Sequence, residues 1–185
     1  MGKTVIIPLA TGFEEIEAIT IIDTLRRAGN VVKTVSLDDN LSVIGAHSIT
    51  TIADSTIKHI NNFDAILLPG GMPGTTNLLN SQILKELLAK ANGEKKIIGA
   101  ICAAPWVLAN CGLLEKRPAT CYPAFEEKLT NTLVSQEKVV ISENIITSRG
   151  VGTALPFSLE CVRLLNGAEK ANELAQAMLV DNYLN

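Results

Sequence analysis

Apolar residues fall along this chain in short continuous blocks that alternate with segments of helical spacing. Lys3–Ala10 (KTVIIPLA), Val31–Leu37, Asp64–Leu68 (DAILL) and Ile97–Ile101 are runs of strand length. Between the first two, Glu14–Ala28 carries Ile16, Ile19, Ile22 and Leu25 at a spacing of three, which predicts a helix with these residues along one broad face. Arg26 and Arg27 suit its last turn, and Gly29 suits its end. Asn77–Ala91, Thr153–Leu165 and Ala168–Val180 are predicted helices, and Ala103–Cys111 a short one ending near Gly112. Leu41–Ile52, β-branched around Gly45, reads as a short hairpin or irregular strand pair, and Val139–Ile141 and Ile145–Thr147 as short strands. The pattern is weakest over Lys116–Lys138, where polar residues and two prolines interrupt it.

Strand–helix alternation predicts an α/β fold: a mainly parallel sheet with helices on both faces. Continuous apolar strands fit a sheet covered on both sides. No repeat, low-complexity stretch or linker divides the chain, so residues 1–185 are expected to form a single domain. A chain of this length buries about 70% of its unfolded surface and needs no disulfide or metal staple. Ile97–Leu114 carries no charge over 18 residues, but Gly99, Pro105, Asn110 and Gly112 interrupt it, so a buried strand followed by a short helix explains it better than a membrane span.

Composition narrows the chemistry. Sixteen Lys+Arg against nineteen Asp+Glu give a net charge of −3, which argues against nucleic acid as the main partner. The only histidines are His47 and His59, and Cys102, Cys111, Cys121 and Cys161 form no CxxC pair. No metal-ligand spacing is therefore expected. The opening Met1-Gly2-Lys3-Thr4 has no secretory character, and Ile6 stands where myristoylation wants Ser or Thr. The expectation is a cytoplasmic protein with reduced thiols.

Ligands of open α/β sheets bind beyond the carboxyl ends of the strands. That rule selects three turns: Thr11–Glu17, Pro69-Gly70-Gly71 and Cys102-Ala103-Ala104-Pro105. Cys102 sits between a buried strand and a helix start among small neighbours, as a nucleophile on a tight elbow requires. A helix N-terminus there would lower its pKa. The position equally suits a small thiol packed behind the strand. Pro69-Gly70-Gly71 reads either as a plain turn or as half of an oxyanion hole, the Gly71 amide joining that of Ala103. Thr11 and Glu14 match a capping box. Among Glu14, Glu15 and Glu17, helical geometry does not choose which carboxylate faces the cysteine; it places Glu17 at the margin of the apolar arc. Cys161, Cys111 and Cys121 read as packing residues, and His47 and His59 as surface histidines away from the strand ends.

Four segments together, Gly12-Phe13-Glu14-Glu15-Ile16-Glu17-Ala18, Leu68-Pro69-Gly70-Gly71, Ala100-Ile101-Cys102-Ala103-Ala104-Pro105 and Thr147-Ser148-Arg149-Gly150-Val151-Gly152-Thr153, resemble the ThiJ/PfpI superfamily, in the branch of the parkinsonism-associated protein (DJ-one) and its bacterial relatives. The resemblance implies a flavodoxin-like sandwich, a homodimer, Cys102 as the reactive thiol, Glu17 as its protonated neighbour, and Gly71 and Ala103 as amide donors, with Gly70 and Glu15 in support. It implies cofactor-free glyoxalase or deglycase activity on 2-oxoaldehydes such as methylglyoxal or on glycated adducts, with protection against oxidative stress. A non-enzymatic redox sensor or chaperone, its Cys102 oxidised to sulfinate, is the alternative. Three departures matter. Ala103 replaces the histidine that follows the nucleophile in peptidase-like members. Tyr122 stands where human-like members carry histidine before Pro123, and Val151 where they carry proline. A Cys–His triad is thus disfavoured. His47 falls where some relatives place a basic residue reaching the partner's site, which implies a supporting role across the dimer.

Overall fold

The structure is a computed structural model that describes residues 2–180. In chain order it contains β1 (Thr4–Leu9), α1 (Glu15–Arg27), β2 (Val31–Ser36), β3 (Ser42–Ile44), β4 (Thr50–Ile52), β5 (Ser55–Thr56), β6 (Ala65–Leu68), α2 (Gly74–Asn80), α3 (Gln82–Gly93), β7 (Ile97–Ile101), α4 (Pro105–Asn110), β8 (Pro118–Ala119), β9 (Leu133–Val134), β10 (Val139–Ser142), β11 (Ile145–Ser148), α5 (Ala154–Asn166) and α6 (Ala168–Ala177). Seven strands form one sheet in the order β10-β11-β7-β6-β1-β2-β5. Every pair is parallel except β10–β11, the hairpin that closes one edge.

Strand alternation splits the core into two layers. Val5, Ile7 and Leu9 of β1 pack with Ile21 and Leu25 of α1, Phe157 of α5 and Leu174 of α6. Ile6, Ile66 and Ile98 face the other way, onto Leu84 and Leu88 of α3 and Val107 of α4. Both faces are thereby covered, as continuous apolar strands require. The Leu41–Ile52 region is the β3–β4 hairpin, outside the main sheet. The uncharged Ile97–Leu114 stretch is β7, a turn and α4; among the described residues no helix is long and apolar enough to cross a membrane.

Three local expectations are corrected. Ile16 and Ile19, predicted to share an inward face with Ile22 and Leu25, are 56% and 49% exposed. The reason is geometric: a step of three residues falls about 60° short of a full turn, so four such positions sweep half the helix. The face that packs inward is Ala18, Ile21, Ile22 and Leu25. The predicted capping box also moves. Thr11 and Gly12 form a turn, and Glu14 itself is the N-cap, its Oε2 accepting from the Glu17 amide at 2.7 Å. Finally, the helix predicted over Asn77–Ala91 is two helices broken at Ser81, whose hydroxyl caps the Leu84 amide at 3.3 Å.

Candidate active site

Because β1, β6, β7 and β11 are parallel, the turns that follow them share one edge of the sheet, and there the segments singled out by sequence converge. Cys102 follows β7 with φ 64°, a left-handed conformation that costs a residue bearing a Cβ roughly 1–2 kcal/mol. Its surroundings hold it there. The Cys102 amide donates to the Ser148 carbonyl at 3.0 Å, and its carbonyl accepts from the Tyr122 amide at 2.8 Å. Strain maintained in this way is typical of a functional turn. The thiol remains partly exposed.

Glu17 reaches the same point from the first turn of α1. It is fully buried. Its Oε2 accepts from the Gly70 amide at 2.8 Å, and its side chain interacts with the Cys102 thiol. Among the described residues, Oε1 has no hydrogen-bond partner. Gly70 permits this approach, since a Cβ there would stand 2.6 Å from the Cys102 Cβ and 3.0 Å from Glu17 Oε2. Gly71 follows at φ 91°, and its amide, with that of Ala103, donates to the Cys102 sulfur.

The electrostatics differ from the lowered thiol expected of a helix N-terminus. Burial, then the charge and hydrogen bond of Glu17, push the Cys102 thiol up to about 12 against the two amides. The helix that follows has only six residues and begins three positions later, at Pro105, so its dipole does not dominate. Burial likewise raises Glu17 to about 7, opposed by the Gly70 amide and Cys102 and assisted by the Glu14 charge. Thiol and carboxyl behave as one coupled acid: the pair is uncharged below about 7 and carries a single negative charge above it, because two in contact are costly.

Of the residues picked out from sequence, the fold assembles Cys102, Glu17, Gly70, Gly71 and Ala103. Glu15 and His47 sit elsewhere. Glu15 turns to the β3–β4 hairpin, where its Oε1 accepts from the His47 amide at 2.7 Å and its Oε2 lies 2.8 Å from His47 Nδ1. His47 is a surface histidine, as expected, with its ring tied to Glu15. Burial raises the Glu15 carboxyl, but the His47 side chain and the backbone donors outweigh it and hold it low. His47 is correspondingly raised, mainly by its hydrogen bond to Glu15. Cys121 and Cys161 are buried, as expected of packing residues.

Sequence reasoning gave no role to Tyr122 and Gly150, which border the site. A Cβ on Gly150 would lie 3.1 Å from the Tyr122 ring and 3.9 Å from Glu17 Oε1. Both residues line a cavity of ≈ 360 Å³ with Arg149, Val151 and Thr153. The Ser148–Gly150 segment was visible as a motif, but nothing local tied it to Glu17.

The model of the DJ-1/PfpI family matches residues 3–164. Protein DJ-1 homolog A of Arabidopsis thaliana is 40% identical over 183 residues, 96% of this chain and 47% of that protein, so the chain spans about half the length of this relative. A glutathione-independent glyoxalase of Caenorhabditis elegans, DJR-1.2, is 37% identical over 169 residues, 89% of each chain. The structure of oxidized DJ-1 from Toxoplasma gondii superposes with a TM-score of 0.94 at 36% identity, covering 97% of this chain and 100% of that one.

Proposed function

We propose that this chain, which belongs to the DJ-1/PfpI family, is a cysteine-dependent, cofactor-free glyoxalase acting on 2-oxoaldehydes such as methylglyoxal. The observation that carries the reading is the Glu17–Cys102 contact, in which a fully buried carboxyl raised to about 7 meets a thiol held by two amides.

The steps follow from that geometry. The Cys102 sulfur adds to the aldehyde carbon, and a proton passes through Glu17 to the new hydroxyl, giving a hemithioacetal. Glu17 as carboxylate takes the proton from that carbon, and the electron pair moves onto the neighbouring ketone oxygen to form an enediolate. Glu17 returns the proton to the second carbon while the hydroxyl proton of the first carbon passes to the oxygen of the second, leaving a 2-hydroxy thioester. Water hydrolyses the thioester, releasing lactate and restoring the thiol. One carbon is oxidised and its neighbour reduced, so no external oxidant, metal or glutathione is needed. A carboxyl raised to about 7 suits a group that gives and takes a proton near neutrality. The similarity to a protein named for glutathione-independent glyoxalase activity supports the reading. Glycated adducts, which present the same carbon at the same oxidation level, are a related substrate class.

A second reading rests on the donors around the sulfur. The Gly71 and Ala103 amides, with protonated Glu17, would stabilise a Cys102 sulfinate, as a redox sensor requires. The test that separates the two is turnover of methylglyoxal by metal-stripped protein against a Cys102→Ser control. Absence of turnover in the wild type would leave only the sensor role.

The same proposal takes the protein to be cytoplasmic and to act as a homodimer. Exposed Ile16 and Ile19 on α1, with Ile44, Ile49 and Ile52 on the adjoining hairpin, supply an apolar surface for a second copy.

A further inference from the structure

The contact between α1 and the β3–β4 hairpin contains more ligating groups than an ion pair uses. Three atoms from Glu14, Glu15 and His47 lie within 4.8 Å of one another. Each carboxylate spends one oxygen on the main chain: Glu14 Oε2 accepts from the Glu17 amide, and Glu15 Oε1 from the His47 amide. The remaining oxygens turn to the same imidazole nitrogen. Glu15 Oε2 lies 2.8 Å from His47 Nδ1, and Glu14 Oε1 lies 3.8 Å from it, beyond hydrogen-bond distance. Glu14 is thus a carboxylate whose side chain is only 9% exposed, with one oxygen left over and aimed at the cluster.

From this geometry we infer that Glu14, Glu15 and His47 form a binding site for a divalent transition metal of the zinc class. One nitrogen and two carboxylate oxygens are donors that zinc accepts, and three protein ligands leave a fourth position for water. Tetrahedral bonds of about 2.0–2.1 Å place ligand atoms about 3.3 Å apart. The 2.8 Å contact to the imidazole must open and the 3.8 Å contact must close, each by about half an ångström, and the two carboxylate oxygens, within 4.8 Å of each other, must settle at the same spacing. His47 can make its part of that adjustment, because its side chain is 68% exposed and belongs to a turn between two short strands. In the unpaired chain the same exposure gives the ion a path from solvent. Backbone amides fix the second oxygen of each carboxylate, the outer support that orients ligands in metal sites. A bound dication also balances two carboxylates that one imidazolium only half neutralises. The site is separate from the Glu17–Cys102 pair, and its metal would clamp the hairpin to the start of α1.

The probe is Zn²⁺ alone, added to the purified full chain with Cys102→Ser in the background, so that the exposed thiol of the active site does not compete. Calorimetry is expected to show one ion per chain in the micromolar range. Both His47→Ala and Glu14→Gln should weaken binding by at least about 10-fold, the lower end of what loss of even an outer partner costs. Glutamine keeps an oxygen for the Glu17 amide, so Glu14→Gln removes the free donor without removing the helix cap. Substituted Co²⁺ should lack the near-ultraviolet band of thiolate ligation. No saturable binding, affinity unchanged in both variants, or a thiolate band would each overturn the assignment.

Discussion

Glu17 and Cys102, carried by a helix and a strand end far apart in sequence, meet so closely that the carboxyl makes charge on the sulfur costlier while the thiol's hydrogen bond eases charge on the carboxyl. The consequence is a site with one negative charge and one mobile proton, a pairing suited to moving hydrogen between adjacent carbons of a substrate. Its measurable properties follow from that sharing.

The catalytic role of the carboxyl is tested by Glu17→Gln. Glutamine keeps a donor but cannot lose and regain a proton, so methylglyoxal turnover is expected to fall by about 10²-fold or more. In the wild type, kcat/KM should rise as pH passes through about 7, where Glu17 ionises. Cys102 should still alkylate in the variant, since the Gly71 and Ala103 amides remain. Wild-type turnover by Glu17→Gln would remove the proton shuttle from the mechanism.

Stability carries the same signature with a definite sign. Burial raises Glu17 from 4.5 to about 7, so the folded state holds a proton that the unfolded chain releases between these values. Stabilisation is full below 4.5 and is lost as pH rises through about 7. The loss is on the order of 3 kcal/mol for a shift of this size. Urea unfolding of wild type and Glu17→Gln at the two ends of the window should diverge in the variant's favour at the alkaline end. Parallel curves would mean that Glu17 ionises as it does in water.

Gly70→Ala probes the approach itself. The added carbon would meet the Cys102 Cβ at 2.6 Å, so sulfur and carboxyl must separate. Displacement on the ångström scale costs about 10²-fold in rate. Turnover is expected to drop by that order while circular dichroism stays native. Full activity in a folded variant would show that the turn yields without moving the pair.

Mild peroxide should oxidise Cys102 ahead of Cys121 and Cys161, which are buried, and ahead of the half-buried Cys111, because the Gly71 and Ala103 amides beside the Cys102 sulfur would hold the sulfinate product even though the thiol itself is pushed up. Peptide mass spectrometry at low conversion reads the order. Modification of Cys111 first would show that access alone governs the reaction.

Pairing of two copies is tested by Ile19→Asp, which places a charge on the outward face of α1 without touching the core. Sedimentation should show the wild type as a dimer and the variant as a monomer at micromolar concentration. If both sediment alike, the exposed isoleucines are not the contact.

Much of the architecture was legible in the order of residues. DAILL and IIGAI are strands because unbroken apolar runs suit a doubly covered sheet, and the Cys102 elbow was visible because its tight turn needs small neighbours in sequence. The face of α1 was misread for the opposite reason: Ile16 and Ile19 are apolar yet point outward, so periodicity could not tell an inner surface from an outer one. Nor could it choose among three adjacent glutamates. Glu14 caps the helix, Glu15 turns to His47 and Glu17 to Cys102, and these partners come from elements distant in the chain. Gly150 stayed hidden for the same reason, since only the pairing of β11 with β7 brings its turn to the site, and Tyr122 arrives there through its amide's bond to the Cys102 carbonyl.

Three of the hydrogen-bond donors at the Glu17–Cys102 pair, from Gly70, Gly71 and Ala103, belong to the main chain. A side-chain replacement cannot delete such a donor; it can only move it. A saturation mutagenesis map of this protein would therefore show a sparse site, with two sensitive polar positions and an intolerance of bulk at small residues that resembles a packing constraint. Much of the reactive centre would leave no polar fingerprint, and a search for homologous chemistry by matching functional side chains would overlook most of what surrounds the sulfur.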